Sequence, residues 1–191
     1  MAPARWRAAA LQVLMWSGLV TLAVAGRLSQ PEWHFTPLAA VTLAAGFVFR
    51  SVPAAATVPM AALAISDRFL AAHDSLAMAA VVYAATAWPV LLGCFGLLGR
   101  GRQVRWPAVF GGSLASSLVF FFSTNAAHWW LTNDYPHTAV GLMACLAAGL
   151  PFFRWMPVGD LAWTAIVFGG LSLLAAPEQV PAKATAAGRL D

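Results

Sequence analysis

Long apolar runs with almost no charge in them are the feature that most constrains this chain. Charged residues make up 9% of the sequence and hydrophobic residues 61%. A soluble domain carries charge on about 25% of its residues, so the solvent that this sequence predicts for most of its surface is lipid. We therefore expect an all-α integral membrane protein.

The apolar runs divide the chain into seven prospective helices. A full membrane crossing takes about 20 residues, so the segments 37–49 and 138–153 are short. Each is compatible with a thin span, a tilted half-helix or a re-entrant piece, and the sequence therefore predicts a bundle of six or seven transmembrane helices. The segments are 8–26, 37–49, 54–70, 76–98, 107–124, 138–153 and 158–176. Helix starts or stops are expected at Pro53, Pro107, Pro136, Pro151 and Pro157.

The N-terminal segment resembles a secretory signal peptide, because Arg5 and Arg7 precede an apolar run that ends in Leu-Ala-Val-Ala-Gly. The run of about 18 residues is longer than a usual signal core. We expect it to be retained as the first transmembrane helix. One transmembrane domain then covers residues 1–176, and residues 177–191 form a short polar tail.

The arginines predict the orientation, since basic residues collect in cytoplasmic loops. A cytoplasmic N-terminus puts six of them on the cytoplasmic side. The opposite loops, 27–36, 67–75 and 125–137, then hold two basic residues, Arg27 and Arg68. The net charge of +4 therefore reflects membrane orientation and does not indicate nucleic-acid binding. The six arginines are Arg5, Arg7, Arg50, Arg100, Arg102 and Arg105.

All four histidines fall in the outer loops, close to several acids. Imidazole and carboxylate suit Zn, Ni or Co, although no pair of histidines on one helix supports such a site. The other interpretation is that these side chains lie at the lipid headgroups. The histidines are His34, His73, His128 and His137, and the acids are Asp67, Asp74 and Asp134.

Three further patterns each have two interpretations. Asp67 at a helix end is either a charge that reaches the interface or part of a site. Trp129, Trp130 and Tyr135 belong either to an interfacial aromatic belt or to a surface on which a flat ligand stacks. Small residues recur at four-residue spacing in the series Ser17, Thr21 and Ala25 and the series Gly141, Cys145 and Gly149. They predict close helix packing, either within the bundle or against a partner subunit.

Four stretches, in order along the chain, resemble a bacterial family of small membrane proteins. They are HFTPLAAVTLAAGFVFR (34–50), ISDRFLAAH (65–73), STNAAHWW (123–130) and YPHTAVGLMACLAAGLPFFRW (135–155), the last followed by GDLAW (159–163). The family is similar to the solitary substrate-binding (S) components of energy-coupling-factor (ECF) transporters, and best to the vitamin B12 transporters called BtuM.

The resemblance implies a six-helix bundle in a bacterial inner membrane with an outward-facing pocket for cobalamin or a related corrinoid. A separate ECF-type ATPase module is an implied partner. By position His34, Asp67, Tyr83 and Arg154 would contact the ligand. We expect Asn125, His128, Trp129 and Tyr135 to lie in a loop that covers it.

In BtuM a cysteine after the third helix contacts cobalt, whereas this chain has none in residues 71–83. His73 or Met78 would take that position, unless the protein does not ligate cobalt. Imidazole is the better axial ligand, which favours His73. Decyanation through a thiolate is therefore not expected, and no hydrolase, phosphate-binding or dinucleotide-binding motif indicates an enzyme.

Two other functions remain open at this point. One is a membrane-embedded metal-binding protein or enzyme that uses the outer His and Asp residues. The other is an assembly subunit that packs through its small-residue stripes.

Overall fold

The computed structural model describes residues 2–30, 35–70, 73–101 and 103–174. Within these residues the fold is all-α apart from one hairpin, whose two strands have two residues each. This confirms the predicted all-α class. The helices are α1 (Ala2–Leu28), α2 (Leu38–Phe49), α3 (Val52–Ser66), α4 (Leu76–Ala87), α5 (Val90–Cys94), α6 (Trp106–Leu131), α7 (Ala139–Phe153) and α8 (Met156–Leu174). The hairpin pairs β1 (Gly99–Arg100) with β2 (Gln103–Val104).

In the described part of the chain, four helical stretches are long and apolar enough to cross a membrane. They are Arg5–Leu28, Leu76–Cys94, Trp106–Leu131 and Met156–Leu174. The second joins α4 to α5 across Pro89, and we call it the α4–α5 rod. Large apolar side chains on these and the shorter helices are exposed, for example Leu76 at 91% and Val140 at 79%. Apolar surface on this scale suits lipid contact and supports the prediction of a helical membrane protein.

Helix α2 lies at the centre of the bundle. Nine of its 12 residues are buried, and it contacts α1, α3, α5, α6 and α8. Half of its residues are Ala, Gly or Thr, which lets neighbouring backbones approach closely. A Cβ added to Gly46 would lie 2.2 Å from the Val90 carbonyl oxygen, and one added to Gly93 would lie 2.3 Å from the Phe47 nitrogen. The α2 and α5 backbones are therefore in direct contact.

Two ends of the bundle can be named by their residues. Helix α1 ends, α3 ends and α4 begins near Asp67, whose carboxylate binds Arg27; we call this the Asp67 end. Helix α2 ends at the other end, where Arg50 Nη1 donates a hydrogen bond to the Gly99 carbonyl oxygen at 3.1 Å. We call this the Arg50 end.

The last two helices run in the same direction along α6. Cys145 and Asn125 join α7 to α6, and the rings of Phe153 and Phe121 lie 4.6 Å apart, so α7 is antiparallel to the second half of α6.

Helix α8 continues along the first half of α6. Asp160 bonds to Ser117, and Thr164 bonds to Ser113. The chain therefore passes from α7 into α8 without reversing its direction.

Several predicted boundaries are wrong. Helix α6 extends to Leu131, so residues 125–131 are helical and do not belong to an outer loop. Its polar side chains bond to carbonyl oxygens one turn earlier, as Thr124 does to Phe120 (2.8 Å) and Asn125 does to Phe121 (2.8 Å), which keeps them compatible with a helix. Helix α7 continues past Pro151, because the hydrogen bond that this proline removes falls in the last turn.

The two small-residue stripes behave differently. Gly141 and Cys145 are buried, as close packing requires, with Gly141 directly against the Pro136 carbonyl. In the α1 stripe Ser17, Thr21 and Ala25 are exposed, so this stripe does not pack within the described part of the bundle. The polar tail predicted for 177–191 lies outside the described residues.

The contact between α2 and α5 makes Gly46 a sensitive position. We expect Gly46→Ala to lower the free energy of unfolding by about 1–3 kcal/mol, because the new methyl group overlaps a backbone carbonyl. Thermal unfolding in detergent measures this. Gly18 has nothing within 4 Å of an added Cβ, so Gly18→Ala is the matched control and should leave the melting temperature unchanged or slightly higher. Equal effects of the two variants would contradict the packing described.

Candidate functional site

A hydrogen-bonded cluster surrounds Asp67 at the end of α3. Arg27 Nη1 lies 2.7 Å from Asp67 Oδ1 and also donates to the Ser66 hydroxyl. The side chains of Arg27 and Asp67 are 15% and 18% exposed, so water screens the pair only partly. This contact joins the end of α1 to the end of α3.

The second carboxylate oxygen of Asp67 binds two further side chains. His73 Nε2 lies 3.2 Å from Asp67 Oδ2, and Tyr83 Oη donates to the same oxygen at 3.0 Å. The His73 and Tyr83 rings are nearly perpendicular, with centroids 6.3 Å apart. Three of the residues selected from the sequence, Asp67, His73 and Tyr83, therefore form one cluster. The other ring nitrogen of His73, Nδ1, does not contact Asp67.

The pKa of the Asp67 carboxyl lies below its ordinary value. Partial burial would raise this pKa, but the hydrogen bonds from Arg27 and Tyr83, the positive charge of Arg27 and the hydrogen bond from His73 outweigh burial. Asp67 is therefore a carboxylate in the folded protein at neutral pH.

A cleft of about 220 Å³ lies at the same end of the bundle, between α4, α6, α7 and the start of α8. Its walls are mainly aromatic and thioether side chains, with three polar groups from one face of α6. Phe152, one of its lining residues, is 46% exposed, so the cleft is open to the surface of the bundle. The lining residues are Met78, Phe120, Phe121, Thr124, Asn125, His128, Gly149, Phe152, Phe153 and Met156.

A smaller cavity of about 60 Å³ lies deeper in the bundle. Phe120 and Met156 line both spaces, so these two side chains form the wall between them. Asp160 faces the cavity, is 5% exposed, and accepts a 2.6 Å hydrogen bond from the Ser117 hydroxyl. The other lining residues are Thr36, Leu38, Ala39, Ala85, Thr86, Pro89 and Ser116.

Sequence reasoning missed the position of Asp160. If segment 138–153 were re-entrant, the six-helix topology would place Asp160 on the outer face, whereas the structure buries it opposite the middle of α6. An acid inside a long apolar run was the available signal, since ionisable groups inside membranes are usually functional.

The connection between α6 and α7 is held by contacts among its own residues. Trp129 Nε1 donates to the Pro136 carbonyl oxygen at 2.9 Å, and the His137 ring stacks on Trp130 with centroids 5.7 Å apart. His128 Nε2 lies 3.0 Å from Asp134 Oδ2. Because Asn125, His128 and Trp129 are helical, a covering loop would consist of residues 132–138 alone.

The predicted site residues therefore separate into groups. Asp67, His73 and Tyr83 meet in the cluster. Met78, Asn125 and His128 line the cleft, with Met78 on a different face of α4 from Tyr83.

The remaining selected residues lie in neither group. Trp129 and Tyr135 belong to the α6–α7 junction, where the Tyr135 ring lies 6.4 Å from that of His128. The exposed Arg154 has its guanidinium 5.6 Å from the Trp155 ring centroid. His34 lies outside the described residues.

Metal-ligating side chains meet in pairs. Among the residues described, no three His, Cys, Asp or Glu side chains converge. The pairs are Asp67 with His73 and His128 with Asp134, and both cysteines are free thiols. A metal held by protein side chains alone takes three or four ligands, which these described pairs do not supply.

The comparison with known proteins identifies a family. The model of a family of unknown function, DUF6580, matches residues 7–183. The chain belongs to this family. No curated protein and no solved structure matches it. The family description assigns no activity, so a functional argument has to rest on the sites described above.

The Asp67 cluster predicts a pH-dependent contribution to stability. We expect Asp67→Asn to lower the free energy of unfolding by about 2 kcal/mol at neutral pH, since it removes hydrogen bonds to a charged group. A carboxylate with a lowered pKa stabilises the fold above its unfolded pKa of about 3.9, and this stabilisation is lost as the pH falls through the folded pKa.

Melting curves of wild type and Asp67→Asn between neutral and acidic pH test this. The difference between the two proteins should be largest at neutral pH and should shrink below about pH 4. Asp74 is exposed, so Asp74→Asn is the control and should match wild type throughout. A difference between wild type and Asp67→Asn that grows towards acidic pH would contradict the assignment.

Proposed function

We propose that this chain is the ligand-capture component of an uptake system in a bacterial cytoplasmic membrane, and that its ligand is cobalamin or a related corrinoid. The observation that carries the proposal is the bond between His73 and Asp67, at the same end of the bundle as the accessible cleft. The choice of a corrinoid comes from the sequence resemblance.

The His73–Asp67 pair has the chemistry of a supported axial ligand. A histidine that binds a metal usually bonds its other ring nitrogen to a carboxylate, which orients the ring. His73 uses Nε2 for Asp67, so Nδ1 would face cobalt. A corrin ring already supplies four nitrogens to its cobalt, and one imidazole then suffices. This favours a corrinoid over a metal centre built by the protein alone.

The cleft supports an amphiphilic ligand that is only partly enclosed. Its volume of about 220 Å³ is below the roughly 300–1,000 Å³ of pockets that enclose a drug-sized molecule. In the proposal the corrin ring lies across the Asp67 end and its edge enters the cleft. Thr124 directs its hydroxyl hydrogen, and Asn125 one of its two amide hydrogens, to helix carbonyls, and their oxygens can accept from the amide N–H groups at a corrin edge.

The directions of the helices support a six-crossing topology. In this proposal six elements would each cross the membrane once, and the end of α8 would return to the Arg50 end. They are α1, α2, α3, the α4–α5 rod, α6 and the α7–α8 run. Arg5, Arg7, Arg50, Arg100 and Arg105 belong to that end, which would be cytoplasmic by the positive-inside rule. The Asp67 end would then face outside, where ligand is captured.

Uptake against a gradient needs a source of energy. The sequence contains no phosphate-binding motif, so the proposal includes a separate ATPase partner of the energy-coupling-factor type.

Cobalamin binding is tested with detergent-purified protein. The protein is mixed with hydroxocobalamin, whose axial position exchanges, and is then passed through gel filtration. We expect the corrin absorbance to elute with the protein, with a shifted spectrum caused by the imidazole. In His73→Ala the shift should be lost.

His137→Ala is the matched control, because His137 belongs to the same end of the bundle but stacks on Trp130. It should keep both the ligand and the shift. Absence of corrin from the protein peak at micromolar protein would refute the cobalamin proposal. If the corrin co-elutes with His73→Ala and keeps the shifted spectrum seen with wild type, the cobalamin ligand stands and the axial assignment of His73 is refuted.

A further inference from the structure

The side chain of Asp160 is buried in the bundle. Among the described residues, no Lys, Arg or His lies within ion-pair distance of it, and the Ser117 hydroxyl is its one side-chain hydrogen-bond donor. Its partner Ser117 lies near the middle of α6, far from either helix end. A carboxylate in such a position is costly unless it takes up a proton or a cation compensates its charge.

The hydroxyls around this carboxylate present oxygen lone pairs to the cavity. Thr86 Oγ1 donates its hydrogen to the Val82 carbonyl oxygen at 2.8 Å, and Ser116 Oγ donates to the Gly112 carbonyl oxygen at 2.7 Å. Because each hydroxyl hydrogen is bonded to a carbonyl of its own helix, each hydroxyl oxygen can only accept a hydrogen bond or ligate a cation in the cavity. The Thr36 hydroxyl is a further oxygen in the lining. The polar part of the cavity therefore combines acceptors with one negative charge.

The size of the cavity restricts its occupant. A volume of about 60 Å³ holds a single small ion with one or two waters and excludes an organic molecule of drug size. One unpaired carboxylate balances one positive charge, which favours a monovalent over a divalent ion. Oxygen ligands are those that hard cations prefer.

We propose that this cavity is a binding site for a monovalent metal cation of the size of Na⁺, with the Asp160 carboxylate as its charged ligand and the hydroxyls of Thr36, Thr86 and Ser116 as neutral ligands. The four side chains come from the segment before α2 and from α4, α6 and α8, so a bound cation joins four separate segments of the bundle. Bound cation should therefore stabilise the fold.

Thermal unfolding of the detergent-purified chain, without any corrinoid, tests this proposal separately from the proposed function. NaCl replaces choline chloride at constant ionic strength and constant pH. We expect the melting temperature to rise with Na⁺ and to saturate, because a ligand that binds the folded state alone stabilises it. In Asp160→Asn the rise should be lost. Asp134 is exposed, so Asp134→Asn is the control and should keep it.

A second pair of variants keeps the test decisive if Asp160→Asn does not fold. Thr86→Ala and Ser116→Ala each remove one neutral ligand, and each should raise the Na⁺ concentration at half-saturation about tenfold. A wild-type melting temperature that does not respond to Na⁺ would overturn the proposal. The proposal would also be overturned if Asp160→Asn kept the Na⁺-dependent rise in melting temperature, or if both hydroxyl variants kept the wild-type Na⁺ concentration at half-saturation. A melting temperature that changes with pH and not with Na⁺ would overturn it as well.

Discussion

Direct contact between the backbones of α2 and α5 is the constraint on which the rest of the fold depends. Gly46 and Gly93 leave no room for a Cβ on either side, so these helices lie closer than larger residues would allow. The α2 helix is thereby enclosed on all sides by protein, and α1, α3, α6 and α8 are arranged around it. Small residues supply this closeness because lipid provides no hydrophobic drive for helices to associate.

The bundle accommodates two buried acids in opposite ways. Asp67 is at a helix end and has Arg27, His73 and Tyr83 around it, so its charge is compensated within the protein. Asp160 lies deeper and has a hydroxyl as its side-chain partner in the described structure. The first arrangement fixes a histidine ring and links two helices. The second leaves a buried acid that either a proton or a bound cation would neutralise.

Local signals predicted much of the architecture, whereas relations between distant residues did not follow from them. Hydropathy and proline positions predicted α2 as 37–49 and α7 as 138–153, within a residue of the observed bounds at each end. The grouping of Asp67, His73 and Tyr83 came from sequence proximity and family resemblance. The extension of α6 to Leu131 and the pairing of Asp160 with Ser117 depend on side-chain bonds and on packing between helices, which no local pattern encodes.

The shortness of α2 has a consequence for the permeability barrier. Its 12 residues extend about 18 Å, against a hydrocarbon core of about 30 Å. A helix of this length in contact with lipid would force the bilayer to thin, but α2 is surrounded by longer helices and avoids that mismatch. In a membrane, the protein layer between the smaller cavity, which Thr36 lines, and the Arg50 end would therefore be little more than half as thick as the hydrocarbon core around the bundle.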